Sequence, residues 1–216
     1  MILQRMDNIN ITKSPGPDSI HPRILYEIRH EILQPLYILF NTSYQLGKIP
    51  MEWKTSNIVP IYKKGNKKEA SNYRPVSLTC IVCKLMESII RDKVMEHFLD
   101  TGYFSDKQYG FIKGRSTVLQ LLKILDDWTY NYDLGYQIDV VYTDFEKAFD
   151  KIPHKGLICK LQASGLNKEL ILWVQDFLSN RKQRVGVNGK YSDWFNVESG
   201  VPQGSILGPF FISDIY

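Results

Sequence analysis

Cysteine and histidine are scarce in this chain, and neither is arranged for chemistry. Three cysteines, Cys80, Cys83 and Cys159, are odd in number and lack framework spacing, which excludes a disulfide-stapled scaffold and points to a reducing compartment. "CIVC" has the form C-x-x-C, but no second Cys/His pair lies at zinc spacing, so it reads as the first turn of a buried helix. His21, His30, His97 and His154 form no ligand pattern. No apolar run is long enough to cross a bilayer, and the N-terminus lacks the apolar core of a signal peptide. A soluble intracellular protein is expected, nuclear or cytoplasmic, with no membrane association and no obligate protein partner. There is also no Gly-rich phosphate loop of the G-x-x-x-x-G-K type, so any bound phosphate must be held by side chains and a metal. A Pro/Gly/Ser-rich linker, an internal repeat and a low-complexity tract are absent too.

What is present suffices for a sizeable core: 44% of the 216 residues are hydrophobic, enough for one domain or two lobes sharing the chain. Lys plus Arg outnumber Asp plus Glu by 27 to 23, and the distribution of that excess matters more than its size. Residues 54 to 74 carry Lys54, Lys63, Lys64, Lys67, Lys68 and Arg74 against the lone acid Glu69. Residues 181 to 190 add Arg181, Lys182, Arg184 and Lys190 with no acid. Such clusters suit a phosphate backbone; a solvated loop and a solvated hairpin are the plainer alternative.

Apolar spacing then sets the elements. Pro22 can open a helix carrying Ile24, Leu25, Ile28 and Ile32, and a second helix over 36–46 stops at Gly47. "SNIVPIY" reads as a strand that Pro60 places at an edge or a bulge, and 56–79 as a basic hairpin. From Ile81 to Phe98 the stripe Val82, Leu85, Met86, Ile89, Ile90, Val94 and Phe98 predicts a core-facing helix, with Lys84, Glu87, Arg91 and Glu96 off the stripe. Ser116 caps a helix through "VLQLLKILDDW". "QIDVVYT" (137–143) reads as a strand buried on both faces. Helices over 155–163 and 168–178, a hairpin at "VNGK" and an apolar helix start in "ILGPFFI" complete an α+β order rather than a doubly wound one.

Taken alone, Asp144 reads as a cap before Phe145, Phe149 as core, and "VPQG" as a turn. Taken together and in order, "KSPGPDSIHPRIL", "NIVPIYKKGNKKEASNYRPVSLTCIVCKLMESII", "FSDKQYGFIKGRST", "VVYTDFEKAFDKIPH" and "GVPQGSILGPFFI" resemble the successive blocks of reverse transcriptases of non-long-terminal-repeat retrotransposons. The resemblance covers nearly the whole chain from residue 13 onward. It implies a right-hand polymerase, with residues 1–12 a lead-in and 13–216 the interleaved fingers and partial palm.

It also implies roles. Asp144 would bind the catalytic metals with the Phe145 carbonyl, and Phe149 would gate the sugar of the incoming nucleotide against a 2′-hydroxyl. Gln203 and Gly204 would lie by the nucleotide and templating base, and Arg74 and Lys63 on the triphosphate. Lys64, Lys67, Lys68, Gln108 and Arg115 would touch nucleic acid, while Asp150 is expected to cap or pair structurally. The implied partners are an RNA template, a DNA primer and deoxynucleoside triphosphates; the implied cofactor is Mg²⁺ in a two-metal site. Such a site needs more carboxylates than Asp144, and the A-D-D block that provides them in the family occurs nowhere here. Asp214 is not promoted in its place. This fragment is therefore expected to be inactive alone, with a non-catalytic nucleic-acid-binding remnant or an intron-maturase-type RNA-binding domain as the alternatives.

Overall fold

The computed structural model describes the backbone of residues 1–215 and the side chains of residues 1–212; the side chain of Asp214 lies outside the described residues. A short α1 (Ile2–Asp7) precedes α2 (Pro22–Glu27), which Pro22 opens because a first-turn residue needs no N–H partner. That helix ends before Ile28 and Ile32, which sit beyond its last turn, so only part of the expected stripe is helical. α3 (Leu33–Leu46) stops where Gly47 turns left-handed at φ +58°, as the sequence predicts. The chain continues through β1 (Thr55–Tyr62), β2 (Tyr73–Thr79), α4 (Ile81–Asp100), α5 (Thr117–Asp133), α6 (His154–Ala163) and α7 (Lys168–Leu178). It ends in β3 (Arg181–Val187), β4 (Lys190–Tyr191), β5 (Phe195–Val197) and α8 (Gly208–Ile215).

β1 and β2 form the expected basic hairpin, in register from Ser56 opposite Thr79 to Tyr62 opposite Tyr73. β3 joins β1 in parallel over Thr55–Ile58 only, and β4 and β5 both pair antiparallel with β3. Pro60 therefore lies past the β3 pairing, opposite Pro75, where its missing N–H costs no ladder bond on that side. In the β3–β4 turn Asn188 and Gly189 both adopt positive φ, which an Asn-Gly pair tolerates and which matches the twist of the ribbon.

The core gathers on α4. Val82, Leu85, Met86, Ile90, Val94 and Phe98 are buried, and Cys80 and Cys83 sit buried at the first turn. Trp173 of α7 stacks on Phe177 (5.5 Å between centroids) and donates its indole N–H to Ser43 Oγ at 3.0 Å, tying α7 to α3. Asp176 accepts the Ile49 N–H at 2.9 Å and pairs with buried Lys54 at 2.8 Å, anchoring the approach to β1. Phe210 and Phe211 bury the start of α8.

Three expectations are corrected. Residues 137–143 form no strand, and Val141 and Tyr142 are 85% and 84% exposed, because none of the described strands runs beside them to take up their backbone bonds. Glu87, expected off the apolar stripe, is 1% exposed. Arg181, expected in a basic cluster open to a phosphate backbone or to solvent, is fully enclosed as well: it donates to Phe177 O at 3.0 Å and lies over that residue's ring. α5 forms, and Ser116 caps it by accepting the Leu119 N–H, yet none of its residues is buried.

Candidate functional site

Two loops meet at one face of the sheet, and backbone bonds fasten them together. The Val201 N–H donates to Phe149 O at 2.7 Å, the Gly200 N–H to Ile152 O at 2.9 Å, and Ser199 Oγ to Asp150 O at 3.1 Å. Gln203 Nε2 donates to Asp150 Oδ1 at 3.1 Å, while Gln203 O accepts the Ser77 N–H of β2 at 2.8 Å. Gln203 is thus fixed at both ends, by the "DFEKAFD" loop and by the sheet. Asp150 pairs with this amide rather than with a basic side chain.

The closeness explains two glycines. A Cβ on Gly200 (φ +78°) would stand 2.4 Å from Phe149 O, and one on Gly204 (φ +143°) 2.4 Å from Ser77 O. Between loops and sheet lies a cleft of about 420 Å³ lined by Ile58, Ser77, Phe149, Asp150, Gln183 and Gln203, among others. Phe149 is half-buried and packs on the core while also lining the cleft.

Strand alternation decides which basic residues share this face. Pro75 and Ser77 of β2 line the cleft, so Arg74 between Tyr73 and Pro75 starts from the opposite face and is exposed. Lys63, Lys64, Lys67 and Lys68 are exposed on the β1–β2 turn. That turn is ordered by its own polar contacts: Tyr62 Oη donates to Gly65 O at 2.6 Å, Tyr73 Oη to Lys67 O at 2.8 Å, and Asn72 Nδ2 to Asn66 O at 2.9 Å. Because β1 and β3 run parallel, this turn and the Asn188–Gly189 turn, followed by exposed Lys190, project from the same end of the sheet. Gln108 and Arg115 are elsewhere, folded together: Arg115 Nη1 donates to Gln108 O at 2.5 Å and Ser105 O at 2.8 Å, ordering their own loop.

Asp144 is exposed in the loop ahead of the 146–150 turn, where it caps no helix. Among the described residues no group of three His, Cys, Asp or Glu side chains is placed to hold a metal ion. Asp144 with the Phe145 carbonyl is too small a donor set for a pair of divalent cations.

Glu87 is a residue that reasoning from sequence missed. Its Oε2 accepts the Ile206 and Leu207 N–H groups at 2.7 and 3.2 Å, bracing the segment just after Gln203 and Gly204. Burial raises its pKa, against the lowering effect of those two N–H groups and of Arg181. The signal was the nearly unbroken apolar run on both sides of it, which marks a helix buried all round rather than along one stripe.

Comparison with known proteins fits this arrangement. A family model described as "Reverse transcriptase (RNA-dependent DNA polymerase)" matches residues 61–215. The probable RNA-directed DNA polymerase from transposon BS of Drosophila melanogaster is 29% identical over 213 residues, 98% of this chain and 23% of the relative. That from transposon X-element of the same fly is 30% identical over 198 residues, covering 91% and 22%, and that from its mobile element jockey 30% over 204 residues, covering 94% and 22%. The chain spans about a fifth of the length of these relatives. With ordered sequence blocks, an α+β fingers-and-palm fold and these matches in agreement, the chain belongs to the reverse transcriptase family, among those of non-long-terminal-repeat retrotransposons.

Proposed function

We propose that this chain forms the fingers and first part of the palm of an RNA-directed DNA polymerase, over residues 13–216, that adds deoxynucleotides to a DNA primer on an RNA template. The observation that carries this reading is the pinning of Gln203 between Asp150 and Ser77 at the mouth of a cleft that Phe149 also lines. In that cleft Phe149 fills the space a ribose 2′-hydroxyl would need, and Gln203 with Gly204 supports the base pair being formed. Lys63 and Arg74, on the hairpin that borders the cleft, offer charge to the triphosphate, Arg74 by reaching round the free edge of β2. Lys64, Lys67 and Lys68 contact phosphates, and Arg115 and Gln108 fix a loop in the template path. Magnesium would supply charge neutralisation of the transferring phosphate, with Asp144 and the Phe145 carbonyl among its ligands.

The second reading, a nucleic-acid-binding segment without catalysis, is favoured by there being, among the described residues, no group of three His, Cys, Asp or Glu side chains placed to hold a metal ion. Primer extension on an RNA template with magnesium or manganese separates the two, run beside Asp144→Asn. This chain is expected to give no extension, since losing positioning and charge stabilisation together costs on the order of 10 kcal/mol. Within a polymerase that carries this segment and extends primers, Asp144→Asn is expected to abolish activity and Phe149→Ala to admit ribonucleotides. Unchanged sugar discrimination in an active Phe149→Ala enzyme would refute the gate.

A further inference from the structure

The face of the sheet opposite the cleft carries an arginine held for a ligand. Arg184 stands on β3 between Gln183 and Val185, which line the cleft, so its own side chain belongs to the other face. Its Nε donates to Asn57 Oδ1 on β1 at 2.8 Å, and its guanidinium carbon lies 4.0 Å from the Tyr191 ring centroid and 4.5 Å from that of Trp194. Gly186 makes room for this: a Cβ there would stand 2.9 Å from Tyr191 Cε1, so only glycine lets the ring lie across the strand. Two rings and one hydrogen bond fix the guanidinium plane, while Nη1 and Nη2 make no hydrogen bond among the described residues. That leaves a fork of donors already oriented for two oxygens of one anion.

The rings remain partly open, Tyr191 at 54% and Trp194 at 40% exposure. Lys182, two residues from Arg184 on the same face, and Lys190 are exposed, and from 181 to 197 the one acid is exposed Asp193. A preoriented phosphate fork, open aromatic faces and an excess of positive charge over the single Asp193 describe a surface for a single-stranded nucleic acid, whose bases are free to stack. A duplex hides its base faces and would gain only from the charges. A strand lying here reaches the cleft around the end of the sheet from which both basic turns project.

We propose that this outer face binds the single-stranded part of the RNA template, Arg184 taking a phosphate and Trp194 and Tyr191 taking bases. The proposal rests on the polymerase reading above and adds a site on the sheet face away from the nucleotide cleft. It is tested by fluorescence anisotropy of this chain with a short unstructured single-stranded RNA and with a duplex of the same length. Trp194→Ala and Trp194→Leu are each expected to weaken single-strand binding about tenfold, at low and at high salt alike, because stacking is not screened. Trp194→Phe, which keeps a flat ring, is expected to restore binding, and duplex affinity to stay unchanged throughout. Arg184→Lys keeps the charge but loses the fork and is expected to weaken single-strand binding several-fold.

Thermal melts identify any variant that fails to fold, and the contrast between Leu and Phe at position 194 holds the test open if Ala unfolds the hairpin. Single-strand binding unchanged by Trp194→Leu and Arg184→Lys, with binding still lost on replacing Lys63, Lys64, Lys67 and Lys68, would overturn this inference and leave the polymerase reading standing. Binding unaffected by either set would overturn both.

Discussion

Gln203 Nε2 donates to Asp150 Oδ1 at 3.1 Å, so the residue proposed to attend the nascent base pair and the acid that closes "DFEKAFD" are locked to one another. The pair couples two loops that are far apart in sequence. Each single substitution, Asp150→Ala or Gln203→Ala, is expected to cost about 1 kcal/mol in urea unfolding, and the double substitution distinctly less than their sum. Strict additivity would mean the bond contributes nothing.

The four lysines of the β1–β2 turn are exposed and have no acid but Glu69 nearby. Replacing Lys63, Lys64, Lys67 and Lys68 with alanine is expected to weaken binding to single-stranded RNA. It should also make the log–log salt dependence shallower by about 3, at roughly 0.7 per phosphate contact. An unchanged slope would remove the turn from the interface.

Asp176 sets an acid limit on stability. Burial alone would raise its pKa, but the Lys54, Ile49 N–H and Lys48 hydrogen bonds outweigh that and hold the carboxyl below its ordinary range. With the folded pKa depressed, the stabilisation is fully present above the unfolded value of about 3.9 and is lost as pH falls through the folded one. Asp176→Asn is expected to flatten stability against pH below about 4, and to cost about 3 kcal/mol at neutral pH by stranding buried Lys54. Chemical denaturation across that range checks both, and an undiminished acid slope in the variant would contradict the assignment.

Glu87→Ala takes away the acceptor of the Ile206 and Leu207 N–H groups and is expected to cost about 2 kcal/mol. Glu87→Gln keeps an acceptor oxygen without a buried charge and is expected to lose less. Equal losses from the two variants, measured by thermal melts, would show that the carboxylate charge, which both remove, and not an acceptor oxygen alone is what holds the Ile206 and Leu207 N–H groups.

Features governed by a few neighbouring residues are legible in the sequence. The Ser116 cap, the left-handed Gly47 and the Asn188–Gly189 turn follow from local backbone chemistry, and each stands where the sequence puts it. What depends on distant partners is not legible in the same way. Residues 137–143 have the composition of a buried strand, but composition does not say which strand lies alongside. Arg181 and Arg184 look equivalent in sequence, yet alternation on β3 sends one inward against Phe177 and the other outward between β1 and the Tyr191 hairpin. At the site, the order of the motifs singles out Phe149, Asp150, Gln203 and Gly204, and these do gather together. The same order singles out Arg74 and Asp144, which do not line the cleft.

The parallel pairing of β1 with β3 also fixes when the sheet can exist. Asn57 and Arg184 bond across 127 residues, and every element from β2 to α7 intervenes. The hairpin of β1 and β2 can close as soon as residue 79 is available, since its contacts are local. The β3 side of β1 stays bare until residue 185 has left the ribosome, and a large loop must then be drawn shut at an entropic cost that local helices do not meet. During that interval Thr55–Ile58 presents an unpaired edge to any other strand in reach, so folding of the fingers sheet is gated by the last third of the chain rather than by its own hairpin.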